Sequence, residues 1–194
     1  MAKGLYHYLR EAWKNPENNT LKERMIEWRR STAVSEVEKP LRLDRARALG
    51  YKAKKGFFVA RVRVNRGGRK RERAGVKGRK TRKQTNRKTL KMNYQWVAEM
   101  RAAKKHKNLE VLNSYKIGKD GKHYFYEIIL VDPHKAEIKS DRTTKWIISP
   151  KNKKRVERGL TSAAKKSRGL MSNRGKSPTL KVRPSLRARN RQGK

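Results

Sequence analysis

Catalysis by side chains needs titratable groups that converge on one point. His7, His106, His123 and His134 are scattered along the chain, and none has a second histidine at metal-ligand spacing. There is no cysteine, which removes disulfides and thiolate metal sites and fits a reducing compartment. His7 and His106 fall at helix positions expected to be exposed. His123 opens a strand, and His134 sits in a turn after Asp132-Pro133. The carboxylates are mostly single and interleaved with Lys and Arg, the pattern of a salt-bridged surface. Arg66-Gly67-Gly68-Arg69 resembles a phosphate loop only superficially, because the spacing that should follow is missing. These residues predict no active site, no metal site, no cofactor and no small-molecule substrate.

The cations are another matter. The chain has 56 Lys and Arg against 16 Asp and Glu, a formal net charge of +40. Residues 66–88 hold 12 Lys or Arg against the single acid Glu72, net +11, and their only apolar residues are Ala74 and Val76. Residues 151–194 hold 16 against the single acid Glu157, net +15. Such segments cannot bury enough apolar surface to offset the entropy of ordering them, so they order against something else. Their charge points to a polyanion. A sequence pI of about 11.3 with clustered basic residues is the footprint of a nucleic-acid binder. A membrane is the competing polyanion, but no stretch approaches the roughly 20 apolar residues of a span. No signal-peptide pattern opens the chain.

Arginine can bridge two phosphate oxygens with a rigid fork. Glycines at 67, 68, 75 and 78 let a backbone follow a tight path between RNA helices. The 14 aromatics avoid both basic segments entirely. Single-strand binders interleave aromatics with cations so that bases can stack. Here the arms are expected to meet phosphates, sugars and shape instead. The expected contacts in the internal arm are Arg66, Gly67, Gly68, Arg69, Lys70, Arg71, Arg73, Arg79, Lys80, Arg82 and Lys83. Before it stand Lys52, Lys54, Lys55, Arg61 and Arg63, and after it Lys165, Lys166, Arg168 and Arg174. Tyr51, between two basic clusters, is the aromatic expected nearest the RNA. Solvated tails or a localisation signal are the plainer reading of such runs.

These residues need a body to aim them. Phe57 to Val64 alternates, with Phe58, Ala60, Val62 and Val64 on one face and Arg61 and Arg63 on the other. This strand runs straight into the arm. Upstream, Gly4 to Lys14 is expected to be a helix stopped at Asn15-Pro16. A second helix is expected from Thr20, with a Thr20–Glu23 capping box and Leu21, Met25 and Trp28 on one face. A short helix capped by Asp44 should end at Leu49 before Gly50. Beyond the arm, a helix is expected over 92–107 with Trp96, Val97, Met100 and Ala103 as its stripe. A hairpin should join Leu109–Ile117 to Lys122–Val131 through residues 118–121. Tyr124–Val131 is apolar on both faces, so it is expected to be a central strand covered on both sides. Trp146-Ile147-Ile148 should form an edge strand or a plug. Ser162 is expected to cap a helix closed by Gly169, with no independent structure beyond.

The expected fold class is α+β: a small antiparallel sheet packed with helices, carrying long basic extensions. Residues 1–65 and 89–150 form one globular domain, 66–88 an internal arm and 151–194 a C-terminal extension.

Several stretches, in order, resemble one family. They are Leu49-Gly50-Tyr51-Lys52-Ala53-Lys54-Lys55-Gly56, Arg61 to Arg71, Val111 to Tyr115, Phe125 to Pro133, and Arg158 to Ala163 followed by Lys166 to Leu170. Together they are similar to the archaeal and eukaryotic family of large-subunit ribosomal protein fifteen. Residues 72–89 and the tail after Met171 match that family in character but not in position. The short tail and high Lys content resemble its archaeal members. The resemblance implies a structural constituent of the large subunit that is not an enzyme. It implies large-subunit rRNA and neighbouring ribosomal proteins as partners, and a place in the cytoplasmic ribosome. Composition alone leaves a free nucleic-acid chaperone or a chromatin-like packaging protein as the alternative.

Overall fold

A computed structural model describes residues 2–14, 18–68, 90, 92–168 and 170–171. Six α-helices and four strands follow in the order α1 (Leu5–Ala12), α2 (Asn18–Arg30), β1 (Val34–Val37), α3 (Leu43–Ala48), β2 (Phe57–Asn65), α4 (Tyr94–Lys105), β3 (Glu110–Lys119), β4 (His123–Val131), α5 (Ala136–Ser140) and α6 (Ser162–Ser167). Two 3-10 turns, Lys145–Ile148 and Pro150–Asn152, lie between α5 and α6.

The strands form one antiparallel sheet in the order β1-β2-β4-β3. β4 is buried from Phe125 to Val131, because its apolar residues on both faces have a layer to pack against. On one face Ala60, Val62, Val64, Tyr126, Ile128 and Leu130 pack with Trp96, Ala98 and Ala102 of α4. On the other, Phe125, Ile129 and Val131 pack with Trp28 of α2, Ala46 of α3, Ile138 of α5 and Ile147. The fold class is the expected α+β, and β4 is the expected doubly covered strand. Phe58 shares the face of Ala60 and Val62 by alternation, yet it belongs to neither cluster and is 41 % exposed.

Several details differ from expectation. β1 was not foreseen: Val-Ser-Glu-Val is too short to show an alternation, and pairing with Val59–Val62 of β2 makes it a strand. Thr20 lies inside the first turn of α2 rather than at its cap, because the helix already begins at Asn18. Asp44 likewise falls within the first turn of α3, buried, and accepts from Arg42 Nη2 at 3.1 Å. Gly50 does stand past the helix with φ +98°, the left-handed value that favours glycine. α4 is capped by Asn93, whose Oδ1 accepts from Trp96 N at 2.7 Å. Its most buried residues are Trp96, Ala98, Glu99 and Ala102. Val97, Met100 and Ala103 are only partly buried.

The hairpin turn lies at Asp120–Lys122, and Asp120 Oδ1 accepts from Lys122 N at 2.7 Å and His123 N at 2.5 Å. Gly118 belongs to β3 beside a register shift. His106 is half-buried beside Glu36 rather than exposed. Ile147 is the plug, buried on a 3-10 turn and not on a strand. Thr161, not Ser162, caps α6, and its Oγ1 accepts from Ala164 N. The expected stops at Asn15-Pro16 and at Gly169 lie outside the described residues.

Packing does not break at residue 150. Val156, Ala163 and Ala164 are buried in the cluster under α4. Trp96 Nε1 donates to Val156 O at 2.9 Å, and Asn93 Nδ2 to Ala163 O at 2.8 Å. Thr161 Oγ1 donates to Glu99 Oε2 at 2.6 Å, and Ser114 Oγ also donates to Glu99. Burial raises the Glu99 carboxyl above its ordinary value, opposed by these two hydroxyls and by the charge of Arg155. The body therefore continues to residue 168, held by apolar residues too sparse to stand out in a basic stretch.

Candidate nucleic-acid interface

β2 delivers the chain to the arm. Its last residues pair with β4 as far as Asn65↔His123, and Arg66 N donates to Lys122 O at 2.7 Å. Arg66 is then fixed from three sides. Its Nη1 donates to Asp120 O at 2.6 Å, and its guanidinium lies over the Tyr124 ring at 5.1 Å. Lys116 approaches the same ring at 4.9 Å. Gly67 follows with φ +109° and open space where a Cβ would stand. The Tyr94 hydroxyl clamps it, accepting from Gly67 N at 3.1 Å and donating to Gly67 O at 2.8 Å. The root of the internal arm is thus tied to the first residue of α4.

This clamp gives a prediction. Tyr94→Phe removes both hydrogen bonds but keeps the ring, which packs on Tyr124 at 5.0 Å. Its melting temperature should fall by only a few degrees, since about 1 kcal/mol is at stake. Binding to a structured RNA should weaken about threefold to tenfold, because the root of the arm then has more than one direction open to it. Unchanged affinity would mean the root needs no fixed direction.

The remaining candidate residues divide into two groups. Lys52 is engaged within the protein: its Nζ lies 2.6 Å from Asp141 Oδ2 and 2.7 Å from Thr143 Oγ1. Lys52, with the Thr143 amide and hydroxyl, holds the Asp141 carboxyl well below the usual carboxylate range. Arg61 is also internal. Its side chain is 17 % exposed, 3.7 Å from Glu127 Oε1, and its guanidinium covers the Trp28 ring at 4.5 Å. Arg63 donates to Arg29 O, and Arg168 to Gly159 O at 2.9 Å. Lys54, Lys55, Arg66, Gly67, Gly68, Lys165 and Lys166 are exposed. Arg69, Lys70, Arg71, Arg73, Arg79, Lys80, Arg82, Lys83 and Arg174 lie outside the described residues.

Glu127 explains why Arg61 turns inward. Its carboxylate is fully buried and accepts from Tyr115 Oη at 2.5 Å and from Leu41 N at 3.1 Å. Burial raises its pKa, and the Tyr115 hydroxyl, the Leu41 amide and Arg61 oppose that rise. Burial and the adjacent Glu127 likewise push the Tyr115 hydroxyl far above its ordinary value. The pair holds α2, β2, β3 and β4 together and offers nothing to a reactant.

Tyr51 is half-buried against Phe57, with ring centroids 6.0 Å apart, and it also lines a cleft of about 650 Å³. Sequence reasoning missed Tyr94 and Tyr124 as elements of the arm's root, although both stand next to basic segments. It also missed Trp146, which is 41 % exposed beside that cleft. No local signal distinguishes Trp146 from its buried neighbour Ile147. Among the described residues no group of His, Asp or Glu could hold a metal ion, and no helix is long and apolar enough to cross a membrane.

The family described as Ribosomal L15 matches residues 4–189. The chain is 51 % identical to "Large ribosomal subunit protein eL15" of Methanospirillum hungatei JF-1, over all of both chains. It is 50 % identical to the protein of the same description from Methanocella arvoryzae, again over all of both.

Proposed function

The chain belongs to the Ribosomal L15 family, a structural protein of the large ribosomal subunit and not an enzyme, and from that premise we propose how it works. It stabilises folded large-subunit rRNA by neutralising phosphates. RNA helices that pack together repel through their backbones. Lysines and arginines laid between them displace diffuse counterions and favour one arrangement. Residues 66–88 and the basic C-terminal extension supply the charge, and the α+β body aims it. Its other partners are neighbouring ribosomal proteins, and its place is the cytoplasmic ribosome. Phosphate contacts are assigned to Lys54, Lys55 and Arg66 on the body, and to Arg69, Lys70, Arg71, Arg73, Arg79, Lys80, Arg82 and Lys83 in the arm. Lys165, Lys166 and Arg174 belong to the C-terminal part.

One observation carries this reading. A core strand passes without a loop into a segment of net charge +11, and the passage is clamped at Gly67 by Tyr94. A clamp of that kind serves no purpose in a freely solvated tail.

The test replaces residues 69–88 with a neutral Gly-Ser sequence of equal length. The melting temperature should stay within a few degrees of the parent, because the sheet and its two clusters lie elsewhere. Affinity for a large-subunit rRNA fragment should fall roughly a hundredfold at low salt, and incorporation into large subunits should fail. Full incorporation of the replaced chain would overturn the assignment of the arm.

A further inference from the structure

The cleft beside Trp146 has the make-up of a nucleotide pocket. Its volume of about 650 Å³ falls within the roughly 300–1,000 Å³ of small-ligand sites. Tyr51, Leu112 and Leu160 give it apolar walls. Arg47, Lys52, Arg155 and Lys165 line it as well, and no Asp or Glu does so among the described residues. Lys52 is already paired with Asp141, which leaves Arg47, Arg155 and Lys165 to set the sign of the site.

Trp146 stands in this cleft as a fixed platform. The Arg155 guanidinium lies over the indole at 5.0 Å. Arg155 is itself anchored, with Nη1 donating to Val111 O at 2.6 Å and to Leu112 O at 2.7 Å. Asn152 Nδ2 donates to Trp146 O at 2.5 Å. A large aromatic held this firmly, yet 41 % exposed, has surface left for a partner. Thr144, another lining residue, is 3 % exposed, and its hydroxyl has no hydrogen-bond partner.

We propose that this cleft receives one unpaired rRNA nucleotide, its base against Trp146 and its phosphate toward Lys165 and Arg47. The inference rests on the rRNA-binding reading above and adds a contact of a different kind. The arms carry charge without aromatics and meet backbone. The cleft joins an aromatic platform to cations, the combination that binds an unstacked base. A segment of a neighbouring protein is the competing occupant, but every charged residue in the lining is a cation, which favours a nucleotide over a peptide of ordinary charge.

The experiment uses the full-length protein in reconstituted large subunits. A photoreactive p-benzoylphenylalanine replaces Trp146, and its crosslink is mapped. A crosslink at one nucleotide supports the proposal. A crosslink to protein, or one scattered over many nucleotides, overturns it. In parallel, base-specific modification with dimethyl sulfate and a carbodiimide is compared between the parent, Trp146→Ala and Lys165→Glu. One base protected by the parent should become about tenfold more reactive in each variant, a change of the size that loss of base stacking produces. The other protections should stand. Parental reactivity in both variants also overturns the proposal. Lys165 is exposed, so its variant keeps the comparison valid even if Trp146→Ala folds poorly. If the parent protects no rRNA at all, the proposed function itself fails. If the general footprint stands and only this base is unaffected, the cleft alone fails.

Discussion

Binding of the full-length protein to a large-subunit rRNA fragment is expected to weaken about ten-thousandfold between roughly 50 and 200 mM monovalent salt. Each phosphate neutralised releases part of a condensed counterion, so the logarithm of affinity falls linearly with the logarithm of salt. The slope is near −0.7 per contact for single strands and slightly more for duplexes. The two basic segments carry +11 and +15. On the order of ten contacts or more are therefore expected, which gives a slope steeper than about −7. A salt series at constant protein and RNA measures it directly. Lys55→Ala, at an exposed position, should leave the melting temperature alone and lower the slope by about one contact. A parent slope worth only two or three contacts would mean that the basic segments do not lie on phosphate.

The second large effect is on stability. Arg61→Ala should destabilise the free protein by about 3 kcal/mol, because it leaves the buried Glu127 carboxylate without its cation. It also strips the cation from the Trp28 ring. In a chain of this size the melting temperature should drop on the order of 10 °C. The deficit should depend on pH in a definite direction. The folded pKa of Glu127 is raised above its ordinary value, so the folded state binds its proton more readily than the unfolded state. Stability then falls as pH rises through the interval between the unfolded and folded values. Removing Arg61 raises the folded value further. The deficit should be full above that value and shrink as pH falls toward the ordinary carboxylate range. Thermal melts of parent and variant at several pH values supply the comparison. If Arg61→Ala melts like the parent but flattens the salt slope, then Arg61 lies on RNA and the internal pair is not what matters.

Arg61 and Lys52 also mark the limit of what the sequence could tell. Both stand among cations, and both look like surface charges. Their partners are remote: Asp141 lies 89 residues beyond Lys52, and Glu127 faces Arg61 across two paired strands. Charge pairs at such separations leave no local pattern. The hint for Arg61 was indirect. β4 is apolar on both faces, which requires a layer over the face where Arg61 points. β2 was legible because alternation over eight residues is hard to produce otherwise, and β4 and the hairpin because a glycine-bounded turn joins two β-rich runs. The stripe of α4 was legible in part: Trp96, Val97, Met100 and Ala103 do pack on the core, but the more deeply buried Ala98, Glu99 and Ala102 were missed, and hydrophobic periodicity cannot select an acid such as Glu99. Residues 151–168 looked like tail because the buried side chains of Val156, Thr161, Ala163 and Ala164 are diluted among lysines and arginines. The basic segments themselves were legible from charge alone, and their family from motifs in order.

The clamp between Gly67 and Tyr94 has a topological consequence. Gly67 and Tyr94, which bracket the internal basic segment, meet at hydrogen-bond distance, so the segment starts and ends at one point of the body. A loop closed at its base can be laid between two RNA helices, but it enters a closed gap in the RNA only as a doubled chain, which needs an opening two chains wide. The sheet reinforces this, because β2 is paired with β4 along its whole length up to Asn65 and so holds the strand that leads to Gly67. RNA that fits the loop more closely than that must close over it after the protein has docked. In that case docking of the protein precedes tertiary closure of the RNA at this point.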